Sequence, residues 1–195
     1  MFATTIENEH INALELSRFE GRIHMVQTEA ELSKAIRQFS KEKAVGFDTE
    51  SKPAFKKGEY NHISLIQVST ESEAWLIRVN KTGIPDNLKA FLEDEQILKV
   101  GVALRDDLKD LKKLRPMNPE GFVELNHLVK DIGIEANGLR KLTAIILGFR
   151  ISKSAQVSNW EKDELTEKQI NYAATDAWVC IAMYNKLVRQ GYLEH

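Results

Sequence analysis

Four carboxylates and one tyrosine, carried by three separated segments, have the types and spacing that metal chemistry requires. Asp48 and Glu50 stand two residues apart in Val-Gly-Phe-Asp-Thr-Glu, and Asp107 follows in Val-Gly-Val-Ala-Leu-Arg-Asp-Asp-Leu. Tyr172 and Asp176 lie four residues apart in Tyr-Ala-Ala-Thr-Asp. Carboxylates gathered at one point repel one another unless cations neutralise them. Oxygen ligands of this kind are typical of sites for hard divalent cations that act on phosphate groups.

The first acid pair follows a predicted strand. Ala44 to Phe47 is a short apolar run suited to the centre of a sheet, so Asp48 and Glu50 are expected at its carboxyl end. Residues two apart on a strand point to the same face, which brings the two carboxylates together. An ordinary solvated strand end is the alternative, since acids on one face of a sheet edge also occur by chance.

The other two segments are predicted helices, and each has a structural alternative. Asp107 is expected at the start of a helix, where an aspartate is often only a cap, and Asp106 competes with it for either role. Tyr172 and Asp176 share one face of a long helix predicted over 166–189, where a simple tyrosine–aspartate hydrogen bond is common. Each segment alone is weak, but the three in this order form a pattern that chance rarely produces.

The rest of the chain predicts a mixed α/β fold, a five-stranded sheet flanked by helices. Thr28 with Glu31 forms a capping box that opens a helix. Strands are predicted after the first run over 62–68, 74–79, 98–102 and 122–125, and further helices over 87–92, 107–114 and 139–147. Residues 1–24 are interpreted as an N-terminal extension and 25–190 as one domain.

The composition narrows the class of protein. A formal net charge of −2 argues against a protein that coats nucleic acid by bulk charge, although a local basic track is compatible with it. The single cysteine, Cys180, excludes an intrachain disulfide and fits a reducing compartment. We expect a cytoplasmic protein, because the chain shows neither a membrane span nor a signal peptide. Residues 193–195, Leu-Glu-His, resemble the start of an expression tag.

On these motifs the chain resembles the DEDDy 3′→5′ exonucleases of the ribonuclease H-like superfold, in particular the Werner-type and ribonuclease D branch. The resemblance covers about residues 25–190. Phe-Asp-Thr-Glu matches the first family motif, and the strand Leu-Ile-Gln-Val that follows is similar to the second family strand. Ser-Asn-Trp at 158–160 and Tyr172 with Asp176 match the third motif, and the tyrosine marks the tyrosine subclass. One departure is Glu124, where the family often has aspartate, and we assign it no role.

The resemblance implies a mechanism with two divalent cations, Mg²⁺ or Mn²⁺. It assigns Asp48, Glu50 and Asp176 to one ion and Asp107 to the support of a second, with Tyr172 orienting the attacking water. The implied reaction releases nucleoside 5′-monophosphates from the free 3′ end of a nucleic acid, with DNA as the first choice. The alternatives are RNA 3′-end trimming like that of ribonuclease D, and a non-catalytic nucleic-acid-binding module of the same fold.

Substrate contacts are expected on the loop directly after the first motif. Lys52, Lys56 and Lys57 are placed to meet phosphates and Phe55 to stack on a base, with a solvated charge run as the alternative. We expect any helicase or repair and processing protein that directs the chain to be a separate molecule.

Overall fold

The computed structural model describes residues 2–56 and 58–193 of the chain. The six strands in these ranges are β1 Arg22–Val26, β2 Ala44–Ser51, β3 Ile63–Ser69, β4 Glu73–Ile77, β5 Leu98–Gly101 and β6 Phe122–Glu124. The helices there are α1 Asn8–Ala13, α2 Glu29–Phe39, α3 Val79–Thr82, α4 Asp86–Leu92, α5 Leu104–Leu114, α6 Leu125–Leu128, α7 Leu139–Leu147 and α8 Glu167–Arg189.

The strands form one mixed sheet in the order β1-β4-β3-β2-β5-β6. The β2–β3 and β3–β4 pairs are antiparallel, and the β1–β4, β2–β5 and β5–β6 pairs are parallel. The predicted mixed α/β, ribonuclease H-like class is confirmed, but the described sheet has six strands instead of five. The missed strand is β1, an edge strand with polar Arg22 and His24, which gives little apolar signal.

Helices cover both faces of the sheet. On one face α2, α4 and α5 bury a cluster that includes Phe39, Phe47 and Phe91. On the other face α7 and α8 pack against the sheet, and α8 crosses β2, β3 and β4. Every residue of β3 is buried, so β3 lies at the centre of the three layers. The two ends of the strands are therefore the places where polar groups can gather.

Local sequence signals explain where several helices begin and end. Thr28 and Glu31 form the predicted capping box at the start of α2, and Thr166 with Gln169 forms another at the start of α8. The end of α7 at Gly148, in the left-handed conformation, also agrees with the prediction. The predicted start of α5 at Asp107 is wrong, because the helix already begins at Leu104.

The segment before β1 packs on the rest of the fold. Ile11 of α1 is fully buried, and the Ser17 amide donates to the Arg150 carbonyl at 2.9 Å. The Phe19 amide donates to Oγ1 of Thr175 on α8 at 3.0 Å. The division into 1–24 and 25–190 stays a prediction. Among the described residues, no helix is long and apolar enough to cross a membrane.

Candidate active site

The first acid pair lies within β2, not after its end as predicted. The strand continues to Ser51 because β3 pairs alongside it, with Asp48 opposite Gln67 and Glu50 opposite Leu65. The parallel partner β5 stops at Gly101, and its pairing with β2 ends at Gly46. Both carboxylates therefore stand on a strand that projects beyond its neighbour, on the same face. This leaves room beside them for α5.

The long helix α8 brings the third motif onto this strand. A Cβ atom on Gly46 would lie 1.9 Å from the carbonyl oxygen of Ala177, so only glycine lets α8 approach β2 this closely. The approach places Asp176, one residue before Ala177, over the strand acids. Ligand oxygens of Asp48, Glu50 and Asp176 all lie within 4.8 Å of one another. We call these three residues the inner carboxylates.

Asp107 reaches the inner carboxylates from the first turn of α5. The hydroxyl of Thr49, which lies between the two strand acids, donates a hydrogen bond to Oδ1 of Asp107. Asp106 is exposed, whereas Asp107 is half-buried. Asp107 does not belong to the group of three close ligands in the described part of the chain. The structure thus places Asp107, and not Asp106, beside the site, at its margin.

Burial raises the pKa of every one of these acids, and repulsion from neighbouring site carboxylates adds to it for Asp48 and Glu50. Burial, then the charges of Asp176 and Asp107, raise the pKa of Asp48 well above its usual range. Burial, then the charge of Asp48, raises the pKa of Glu50 to about 10. Burial also raises the pKa of Asp176 to about 7 and that of Asp107 to about 6. Without a counter-charge, this part of the protein favours protonated carboxyl groups.

The donor set fits a divalent cation. It consists of carboxylate oxygens, the ligands that Mg²⁺ and Mn²⁺ prefer. Oδ1 of Asp176 is buried and accepts no hydrogen bond from any residue within 2–56 or 58–193. A buried carboxylate oxygen without a donor is costly, and a bound cation removes that cost. The inner carboxylates are therefore a candidate metal centre.

Tyr172 lies one helical turn before Asp176, and its side chain is held by packing. Its ring lies 6.0 Å from that of Trp160, which is fully buried, so Trp160 acts as a packing anchor. Burial, then the charges of Asp176 and Glu50, raise the pKa of the Tyr172 hydroxyl. The phenol therefore keeps its proton at neutral pH and can serve as a hydrogen-bonding group.

Two cavities meet at Tyr172. One, of about 850 Å³, lies between α8 and residues 15–20. The other, of about 300 Å³, is bounded by Tyr172 and Asp176 and by three basic residues, Arg140, Lys141 and Lys153. Sequence reasoning assigned no role to Lys153 and did not single out the start of α7, since nothing local indicates that α7 faces α8. These basic side chains next to the acids are the part of the site that it missed.

Of the substrate residues predicted on the β2–β3 loop, Lys52, Phe55 and Lys56 are described by the structure, and none of them joins the acid cluster. Phe55 is 78% exposed and Lys56 is also exposed, and their backbone amides donate to Glu59. Lys52 is partly buried and pairs with Glu161 at 3.8 Å. Lys57 lies outside the described residues. Phe55 and Lys56 therefore face solvent, whereas Lys52 is held by Glu161.

Comparison with known proteins defines the class to which this fold and site belong. A family model described as 3′-5′ exonuclease matches residues 23–191. The mouse bifunctional 3′-5′ exonuclease/ATP-dependent helicase WRN is 35% identical over 153 residues, which cover 75% of this chain and 11% of that protein. The chain spans between 11% and 40% of the length of the first curated relatives that it matches. The chain belongs to the 3′-5′ exonuclease family.

Solved structures show the same fold. The exonuclease domain of Aedes aegypti Nibbler has a TM-score of 0.76 and 22% identity, covering 96% of this chain and 92% of that one. Escherichia coli ribonuclease D, described as an exoribonuclease for structured RNA processing, has a TM-score of 0.76 and 24% identity, covering 88% of this chain and 47% of that one.

Proposed function

We propose that the chain is a metal-dependent 3′→5′ exonuclease that hydrolyses nucleic acid and releases nucleoside 5′-monophosphates. The observation that carries this proposal is the inner carboxylates, whose oxygens lie within 4.8 Å of one another in a chain of the 3′-5′ exonuclease family. With Asp107 and Tyr172 they gather several ionisable groups of raised pKa at one point, which is costly to a fold. Such clusters are characteristic of functional sites.

In this proposal two divalent cations, Mg²⁺ or Mn²⁺, complete the site. Asp48, Glu50 and Asp176 would hold one, and Asp48 with Asp107 would help to hold the second. Bound divalent cations supply positive charge that stabilises the attacking and departing oxygens of a phosphodiester. The hydrogen bond from the Thr49 hydroxyl holds the Asp107 carboxylate at the margin of the site. The protein side chains thus provide a fixed, oxygen-only frame.

Tyr172 would orient the attacking water. Its hydroxyl keeps its proton, because burial and the neighbouring carboxylates raise its pKa. A neutral phenol can both donate and accept a hydrogen bond, which fixes the direction of a water molecule without removing its proton. The same residue assigns the chain to the tyrosine subclass of the proposed mechanism.

The nucleic acid would approach across basic side chains. Arg140, Lys141 and Lys153 line the smaller cavity next to Tyr172 and Asp176, where they can contact the phosphates of the 3′-terminal nucleotides. The β2–β3 loop, with Lys52, Phe55, Lys56 and Lys57, would contact the strand further from the cleaved bond.

The preferred polymer in this proposal is DNA, as the resemblance to the Werner-type branch implies, and the 35% identity to the mouse exonuclease/helicase WRN supports that branch. RNA 3′-end trimming is the alternative, and its support is the fold shared with ribonuclease D. A non-catalytic binding module is disfavoured because the four acids and the tyrosine are all present and brought together. A separate helicase or processing protein as partner, and a cytoplasmic location, stay predictions from the sequence.

A matched set of labelled substrates tests the proposal. Single-stranded DNA, recessed duplex DNA and RNA of one sequence are incubated with Mg²⁺, Mn²⁺ or a chelator. We expect mononucleotides released stepwise from the 3′ end, only with metal, and faster from DNA than from RNA. Faster release from RNA would establish the alternative polymer.

The Asp48→Ala variant provides the control for contaminating nucleases. It should lose 3′-end release with every substrate and metal. Release that is equal in Asp48→Ala and wild type, release that persists in chelator, or no release from any substrate would overturn the proposed function.

A further inference from the structure

One carboxylate outside the site joins the starts of two helices. Glu124, at the end of β6, accepts hydrogen bonds from the amides of Ala103 at 3.0 Å, Leu104 at 2.8 Å and Asn126 at 3.0 Å. Asn126 belongs to α6, which follows Glu124 directly in the sequence. Ala103 and Leu104 start α5, and Leu104 lies 20 residues before Glu124. Glu124 therefore caps a neighbouring helix and a distant one at the same time.

The hydrogen bonds between Glu124 and the start of α5 hold a turn at Ala103 that is strained. Ala103 has φ 60° and ψ 35°, and within the described ranges it is the only non-glycine residue with positive φ. This left-handed conformation is unfavourable for a residue with a side chain, and it persists only where the surroundings enforce it. Ala103 has no side-chain acceptor for the free amides at the start of α5. The Glu124 carboxylate, at the end of β6, accepts hydrogen bonds from these amides instead.

The turn at Ala103 is the point where the chain enters α5, the helix that carries Asp107. Asp107 lies four residues beyond Ala103, and each residue of a helix rotates the side-chain direction by about 100°. A start of α5 displaced by one residue would therefore turn Asp107 away from Thr49. The inner carboxylates do not depend on this turn, since they are carried by β2 and α8.

We propose that Glu124 is a positioning residue of the active site, which acts through the Ala103 turn to hold Asp107 against Thr49. This proposal rests on the proposed function only because Asp107 is taken there to support a metal ion. The hydrogen bonds that join Glu124 to the start of α5 do not depend on that function. Removal of the Glu124 carboxylate should reproduce the effect of removing Asp107 and leave the inner carboxylates in place.

A double-mutant cycle tests the link between the two residues. Glu124→Gln keeps the size of the side chain but replaces one acceptor oxygen with a donor. We expect it to lower kcat by about 10-fold, in the range typical of groups that orient metal-site ligands, and to have no further effect in an Asp107→Asn background. The affinity of the inner carboxylates for Mn²⁺, measured by titration, should be unchanged. Glu135→Gln, an exposed glutamate on the surface, is the matched control.

Two further measurements separate this inference from the proposed function. In Glu124→Gln, hydrogen exchange of the amides of residues 104–107 should accelerate while α8 stays protected, an effect that needs no enzymatic activity.

Ala103→Gly should restore part of the kcat in the Glu124→Gln background, because glycine adopts the left-handed conformation without strain. Ala103→Val disturbs the same turn while Glu124 stays intact. If Glu124→Gln does not fold, Ala103→Val replaces it in the same measurements. Additive effects of the Glu124 and Asp107 changes, or unaltered exchange at 104–107, would overturn the proposal.

Discussion

The inner carboxylates and Asp107 belong to one acidic cluster but are held in different ways. Asp48 and Glu50 stand on a strand paired with β3, and Asp176 on a helix fixed by the contact between Gly46 and Ala177. Asp107 stands on the first turn of a helix that depends on a strained residue and a remote cap. The inner group is anchored by the backbone of the core, and Asp107 by side-chain contacts that single substitutions can remove.

The pKa values also separate the inner carboxylates from Asp107. The pKa of Glu50 is raised to about 10 and that of Asp176 to about 7, while that of Asp107 reaches only about 6, because the Thr49 hydrogen bond favours its charged form. The inner carboxylates therefore need a cation more strongly than Asp107 does. This difference in charge agrees with the difference in how the two parts of the cluster are held.

The largest effect is expected from Asp48→Asn, which removes the central inner carboxylate. We expect 3′-end release to fall by more than about 100-fold, beyond the loss typical of groups that only orient ligands. The metal-free protein should become more stable above pH 7, since the variant has no buried acid to keep protonated at this position. Activity assays and thermal denaturation in chelator measure the two effects. A variant that is both active and less stable would contradict the assignment.

A smaller effect is expected from Asp107→Asn, which tests the marginal position of that residue. Release should fall by about 10-fold, while the affinity for the first Mn²⁺ ion stays within about 2-fold of wild type. The neighbouring Asp106→Asn change is the matched control and should leave both quantities unaltered, because Asp106 is exposed. An equal or greater loss of activity in Asp106→Asn would move the role to Asp106.

The stability of the metal-free protein should depend on pH through the inner carboxylates and Asp107. Folded-state pKa values of about 6, 7 and 10 lie above the unfolded values, so their contribution is complete below about pH 4 and is lost as the pH rises through them. We expect Tm in chelator to fall by roughly 5–10 °C between pH 5 and 8, since 1 kcal/mol shifts Tm by about 2–4 °C at this size. Mn²⁺ should reduce the fall, and a Tm that rises over this interval would contradict it.

The smallest effect is expected outside the cluster, on the β2–β3 loop. The double change Lys52→Ala and Lys56→Ala should raise KM a few-fold with kcat unchanged. The salt dependence of binding should become shallower by about 1 in slope for each phosphate that a lysine no longer neutralises. Lys112→Ala, an exposed lysine on α5, is the control. An unchanged salt slope would show that the loop lysines are only solvated.

The sequence predicts the inner carboxylates better than their surroundings, for a physical reason. The spacing of Asp48 and Glu50 on a strand and of Tyr172 and Asp176 on a helix fixes their directions within each element. The predicted capping box at Thr28 is equally local, and the structure contains it. The true start of α5 has no local signal, because its cap comes from Glu124 in another strand.

Other parts of the molecule also depend on long-range contacts. The edge strand β1 is stabilised by β4, which lies far along the chain. Arg140 and Lys141 line the cavity beside Tyr172 and Asp176 because α7 packs on α8, and Lys153 lines it from the segment after α7. Neither pairing follows from the periodicity of a single segment. These elements require the tertiary fold before they can be placed.

The buried thiol offers a way to time the motion of the site. Cys180, the single cysteine of the chain, is 1% exposed, and its Sγ donates to the carbonyl oxygen of Asp176 at 3.2 Å. Burial raises its pKa, so a thiol reagent can react only after α8 separates locally from the sheet. The rate of labelling at Cys180 therefore measures how often the helix that carries Tyr172 and Asp176 opens, with no probe added to the protein.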